Sequence, residues 1–438
     1  MSDAQKPRPF LFALSGLRAV PALVLVLAHM VACWRVMVAR PPEGTSPEFL
    51  EWCARGVAAL TEHPLALGLM RSTTAALGAF FMLSGFVLVY VYSTASPTRE
   101  FDRKIFWAAR IARIYPIYLL GLIFSVRLFL SDTLAAHSAP AAPPLTVLGW
   151  STTILADLLL LQAWWPRAAL AWNAPGWSLS CEAFFYLMFP RALRLVNRLR
   201  VRDLLVLIVV CWCVLMAVPL VYLALDPDHL GSVLWTSDGY WLRAVKFGPP
   251  IRFPEFLIGV AVGRLWFATE DRHDALRPWG PWLSLGGVLV WFVVGTLNVY
   301  LGVPYLLLHN GLLDLAFAAI IYGVALGGGP LHRFLSWRPV VLLGDSSYAL
   351  YILHLPALTY VLHTLARFGV PPVHPLVFVV LFLATGAAVS VAVHRDFEIP
   401  SRILVRATLL GPRREDWPVV VRPGEPSDES TDDVANAG

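Results

Sequence analysis

Ten apolar stretches of near bilayer-crossing length run through the chain, at about residues 12–35, 73–93, 114–130, 177–195, 203–225, 251–268, 281–302, 310–328, 343–366 and 376–394. Hydrocarbon offers backbone N–H and C=O groups no partner, so a spanning segment of about 20 residues must satisfy them internally as a helix. The charge content agrees with this reading. Only 14% of the 438 residues are charged, against about 25% in soluble domains. The predicted fold class is an all-α integral membrane protein of about ten transmembrane helices, and no nucleic-acid partner is expected.

The first stretch follows a short basic lead, Lys6 and Arg8, yet it is too long for a signal peptide, contains Arg18 and lacks a cleavage site. It is expected to be a retained first helix. The stretch 151–165, "STTILADLLLLQAWW", is shorter and contains Asp157, which predicts an interfacial or re-entrant segment.

Orientation follows from the basic residues, which favour cytoplasmic loops. With the N-terminus inside, 22 of the 34 Lys and Arg residues fall in the inner segments and seven in the outer loops. Both termini are therefore expected in the cytoplasm. Counting 151–165 as an eleventh span would move "RALRLVNRLRVR" outside, against the same rule. From Gly411 onward the chain is rich in Pro, Ser and acidic residues. That predicts a disordered cytoplasmic tail at 411–438 behind one membrane domain at 1–410. Three lysines against 31 arginines hint at a GC-rich bacterial genome, hence a bacterial cytoplasmic membrane.

Ionisable residues inside a membrane are costly and mark candidate functional sites. Arg18 and His29 are eleven residues apart, about 20° past three whole turns and about 16 Å along a helix. They share one face at different depths. A snorkelling arginine and a satisfied core histidine are the blander readings of each residue alone. Glu182 lies one turn into the fourth span, where a carboxylate needs a hydrogen-bonding or cationic partner; Arg18 and Arg252 are candidates. Arg110 and Arg113, one turn apart ahead of Pro116, suit either positive-inside anchoring or bidentate phosphate recognition. Arg252 and Glu255 are spaced to pair, and Ser347, Tyr351 and His354 share a helix face. His354 is either a second proton-handling group or a partner of Tyr351. Cys181 reads as an inert core thiol, the five cysteines form no disulfide framework, and no metal-ligand spacing occurs.

Seven stretches carry a resemblance in order along the chain. They are "LSGLRAVPALVLVLAH", "FFMLSGFVLVY", "ARIARIYPIYLL", "PGWSLSCEAFFYLMFP", "RFPEFLIGVAVGRL", "LGDSSYALYILHLP" and "FEIPSR". Together they resemble the membrane-bound acyltransferase-3 family of bacterial O-acyltransferases of surface polysaccharides and macrolides. The resemblance implies a ten-helix enzyme that takes an acyl group, usually acetyl, from cytosolic acyl-CoA. The acceptor it implies is a hydroxyl of a glycan or macrolide.

Arg18 and His29 match the family's Arg-x10-His motif, Arg110 and Arg113 its Arg-x-x-Arg motif, and Glu182 the glutamate of its Trp-Ser-Leu-Ser segment. Ala183 stands where a second acid is common in the family. The resemblance casts Arg110, Arg113 and Arg18 as donor-binding residues, with Arg18 a catalytic candidate as well. His29 is then general base or acyl carrier, with Glu182 or Tyr351 orienting it and His354 as a further catalytic candidate. The rival class is a transporter or flippase of lipid-linked saccharides, whose inverted repeats are not found.

Overall fold

The computed structural model describes residues 8–9, 11–93, 102–138, 147–234, 237–368, 373–411 and 420–421. Among them, helices of span length follow one another as α1 (Phe12–Ala39), α2 (Pro64–Tyr92), α3 (Arg103–Ser138), α4 (Trp177–Val196), α5 (Val201–Leu225), α6 (Pro249–Ala268), α7 (Glu270–Leu297), α8 (Tyr305–Leu326), α9 (Ser347–Phe368) and α10 (Pro375–Leu410). Eight are long and apolar enough to cross a membrane. The other two, α4 and α6, each carry three charged residues: Glu182, Arg191 and Arg194 on α4, and Arg252, Glu255 and Arg264 on α6. The protein is all-helical and multi-pass. The one β pairing among the described residues joins Arg8–Pro9 to Val420–Val421 in parallel. The rest of the tail expected to be disordered lies outside the described residues.

Several helices depart from the lengths that hydropathy suggests. α3 begins at Arg103, eleven residues ahead of the apolar stretch at 114, so Arg110 and Arg113 sit within the helix. α1 is interrupted at Arg18, between Phe12–Leu17 and Ala19–Ala39. α10 contains a π turn at His394–Glu398. The stretch around Asp157 forms a helix at Val147–Leu158, which ends in a turn. Leu160 turns in the left-handed region at φ 57°, and the segment continues through short 3₁₀ turns to α4.

Its polar groups are tied into the protein. The Tyr118 hydroxyl donates to the Asp157 carbonyl at 2.7 Å, Gln162 Nε2 donates to the Gly176 carbonyl at 2.9 Å, and Asn173 Nδ2 donates to the Ile352 carbonyl at 3.1 Å. Irregular backbone is tolerated in such a fold only with partners of this kind.

Lipid-exposed helices gain little from mutual hydrophobic burial, so they pack through small residues that let backbones approach. The α2–α6 crossing shows this on both sides. A Cβ on Gly259 would overlap the Met82 carbonyl, and one on Gly85 would overlap that of Phe256. The same device seats the start of α1 against the helices at Gly329–Leu335 and Arg338–Asp345. There a Cβ on Gly16 would overlap the Leu335 carbonyl, and one on Gly344 that of Ser15. That contact brings Arg18 toward Asp345.

Gly259→Ala is expected to destabilise the protein by about 1–3 kcal/mol through overpacking. Gly286→Ala, with nothing within 4 Å of the new carbon, should leave the thermal midpoint in detergent unchanged. Equal midpoints for both variants would contradict this packing account.

Candidate active site

Between α1, α2, α3, α4 and α9 lies a cavity of about 120 Å³. Arg18 enters it from the break in α1, Arg110 and Arg113 from α3, Glu182 and Tyr186 from α4, and Ser347, Tyr348 and Tyr351 from α9. Three guanidinium groups and one carboxylate make its wall cationic, which suits an anionic ligand. Each arginine is held differently. Arg110 lies over the rings of Tyr92, Phe106 and Tyr186, with its Cζ 5.7, 5.9 and 5.5 Å from the centroids. Arg113 donates to Glu398 at 2.5 Å and lies over the Tyr348 ring at 5.1 Å. The charged neighbours of Arg18 are Arg113, Asp345 and Glu182.

Glu182 finds its partners on hydroxyls. Ser84 Oγ donates to its Oε1 at 2.9 Å and the Tyr186 hydroxyl to the same oxygen at 2.5 Å. No arginine among the described residues lies within ion-pair distance of it. Arg252 pairs instead with Glu255 at 2.9 Å and donates to the His309 carbonyl at 2.7 Å, both side chains wholly buried. This pair does not line the cavity; the guanidinium lies over Phe81, whose ring does. Cys181 is fully buried and its thiol donates to the Phe247 carbonyl at 3.3 Å.

Beyond Tyr351, two imidazoles meet. His29 Nδ1 and His354 Nε2 are 2.8 Å apart, with ring centroids at 5.0 Å and planes inclined by 19°. His354 Nδ1 lies 2.7 Å from the Tyr351 carbonyl and 3.2 Å from that of Leu350. A carbonyl only accepts, so His354 Nδ1 carries the proton, and in a neutral ring Nε2 is then the acceptor. His29 must donate from Nδ1, which leaves its Nε2 with a bare lone pair. His29 is half-buried and His354 is buried. The chain thus presents an oriented imidazole base whose tautomer is set by its neighbour.

The structure brings Arg18, Arg110, Arg113, Glu182 and Tyr351 to one cavity. His29 and His354 form a pair alongside it, since Tyr351 lines the cavity and its ring centre is 6.0 Å from that of His354. The group in contact with His29 is His354 rather than Glu182 or Tyr351, and the Tyr351 hydroxyl donates to the Pro175 carbonyl at 3.2 Å. Sequence reasoning passed over Ser84, Tyr186 and Glu398. Tyr186 is one turn after Glu182, and Glu398 lies one turn from both His394 and Arg402, so i, i+4 spacing was the available signal. No cluster of three or more His, Cys, Asp or Glu able to hold a metal occurs among the described residues.

The fold is thus a multi-pass helical bundle with a cationic cavity beside a hydrogen-bonded histidine pair. A family model described as an acyltransferase domain (Acyl_transf_3) matches residues 11–395, and the chain belongs to this acyltransferase family. Among curated proteins it is similar to acyltransferase MdmB of Streptomyces mycarofaciens, with 30% identity over 65% of this chain and 68% of that protein. It is 23% identical to O-acetyltransferase OatA of Staphylococcus aureus over 74% of this chain and 51% of OatA. With the putative peptidoglycan O-acetyltransferase YrhL of Bacillus subtilis the identity is 27%, over 64% of this chain and 43% of YrhL. The chain thus matches about half the length of these last two relatives or less. No solved structure matches.

Tyr186→Phe removes one of the two donors to Glu182 and should destabilise the protein by about 1–3 kcal/mol, as expected when a part-buried carboxylate loses a hydrogen bond. Tyr222→Phe, at a hydroxyl whose partner is the loop residue Asp228, is the comparison and should cost less. Thermal unfolding in detergent measures both, and a larger loss at Tyr222 would contradict the role given to Glu182.

Proposed function

We propose that this protein is an O-acyltransferase of the bacterial cytoplasmic membrane. In this reading it moves an acyl group, acetyl in the simplest case, from cytosolic acyl-CoA to a hydroxyl of a carbohydrate or glycosylated polyketide. Residues 1–410 form the acyltransferase domain and 411–438 a cytoplasmic tail. The observation that carries the reading is the bare Nε2 of His29, held by His354 next to a cavity with three arginines. The names of the relatives, an acyltransferase and two O-acetyltransferases, support the group transferred.

Arg110 and Arg113 bind the phosphates of the donor, because guanidinium forks match phosphate oxygens. Arg18, deeper in the cavity, lies along the path of the pantetheine arm. His29 Nε2 takes the proton of the acceptor hydroxyl as its oxygen attacks the thioester carbonyl. The new C–O bond forms, the C–S bond breaks, and the proton passes to the departing thiolate. His354 keeps His29 in the required tautomer and shares the developing imidazolium charge. Glu182 and Tyr351 shape the polar wall through which the acyl group passes.

Membranes containing the protein, supplied with labelled acetyl-CoA and hydroxyl acceptors, should transfer label to an acceptor. His29→Ala should lower that rate about 10²–10⁴-fold, the usual contribution of a positioned general base, and Arg18→Ala should abolish most of it. Unchanged transfer in both variants would overturn the roles. Absence of thioester turnover with every acceptor, alongside transbilayer movement of a lipid-linked saccharide, would favour a flippase.

A further inference from the structure

Glu398 lies outside the cavity lining yet governs one of its arginines. Its side chain is wholly buried in the π turn of α10. One oxygen, Oε1, accepts from Arg113 Nη1 at 2.5 Å and also from Arg402 Nη2. The other, Oε2, faces His394 Nδ1 at 2.8 Å. One carboxylate therefore engages groups from two helices. π turns are rare and occur frequently at functional sites; here the turn spans the two ends of the His394–Glu398 hydrogen bond.

Arg113 is held from two sides, by the Glu398 carboxylate and by the face of Tyr348. It still keeps part of its surface on the cavity. Arg110, its companion one turn earlier, is held by aromatic rings and the hydroxyls of Tyr92 and Tyr186. The two cations of the Arg-x-x-Arg pair are thus set by different means. Only Arg113 depends on a carboxylate.

We propose that Glu398 is a positioning residue of the donor site. It fixes the Arg113 guanidinium toward the phosphates of acyl-CoA, and Arg402 shares the same carboxylate oxygen. The inference rests on the reading of Arg110 and Arg113 as the donor clamp. A charge-assisted bond from a buried carboxylate orients a guanidinium far more firmly than a neutral one. Removing the charge frees Arg113 to swing away from the phosphate while leaving the acyl-transfer groups in place.

The test compares acetyl-CoA with S-acetylpantetheine, a donor without phosphates, on the purified full-length protein in lipid nanodiscs. Glu398→Gln should raise KM for acetyl-CoA about tenfold, the scale of one lost charge-assisted bond. Its kcat should stay within threefold, and its kcat/KM for S-acetylpantetheine within twofold. Arg402→Gln should leave the preference between the two donors as in the unsubstituted protein. Should Glu398→Gln fail to fold, Glu398→Asp carries the test, since it keeps the charge but shortens the reach to Arg113.

Equal losses on both donors would mean that Glu398 only staples α3 to α10, and would overturn the proposal. So would an unchanged donor preference in Glu398→Gln when Arg113→Gln loses it. If Arg113→Gln itself keeps the preference, the donor-clamp reading fails instead.

Discussion

The hydrogen bond between His29 Nδ1 and His354 Nε2 joins the first helix of the fold to the ninth. It is 2.8 Å long, and it sets which nitrogen of the His29 ring bears a proton. The setting begins in the backbone, because the Tyr351 and Leu350 carbonyls can only accept. The same two helices carry Arg18 and Tyr351 into the cavity. Displacing one helix against the other would therefore disturb the histidine pair and the cavity together. The small-residue contact that seats Gly16 and Gly344 against neighbouring backbone fixes α1 on the Arg18 side.

Charge inside the bilayer region is sorted by what surrounds it. Arg252 and Glu255 neutralise each other with no exposure, and removing one partner of such a pair typically costs about 3–5 kcal/mol. The arginines of the cavity are arranged otherwise. Arg110 rests on aromatic faces, Arg113 on one carboxylate and one ring, and Glu182 on two hydroxyls. None of these contacts cancels all the cavity's positive charge, so capacity to bind an anion survives. The sealed pair serves the fold, and the partly compensated set can serve a ligand.

Much of this was legible in the sequence because lipid imposes simple rules. Apolar length located the helices, and polar or charged residues in or beside the apolar stretches marked the cavity walls from α1, α3, α4 and α9. Helix ends were less legible. Arg110 and Arg113 ended the apolar stretch of α3 although the helix runs through them, since hydropathy measures lipid contact rather than backbone hydrogen bonding. Partners distant in sequence were harder still. Nothing local says that His29 meets His354, 325 residues away, or that Arg113 meets Glu398. The pairing of Glu182 with Ser84 and Tyr186, rather than with an arginine, likewise depends on how α2 packs against α4. The π turn that presents Glu398 leaves no mark in hydropathy.

The most direct test is ¹⁵N solid-state NMR of histidine-labelled protein in lipid bilayers, with His29 and His354 assigned by single substitution. The account predicts a protonated Nδ1 on both rings, a bare Nε2 on His29, and a nitrogen–nitrogen coupling across the His29–His354 hydrogen bond. Replacing His354 with alanine should then let His29 sample both tautomers. A proton resident on His29 Nε2 in the unsubstituted protein, or no coupling between the two rings, would contradict the account.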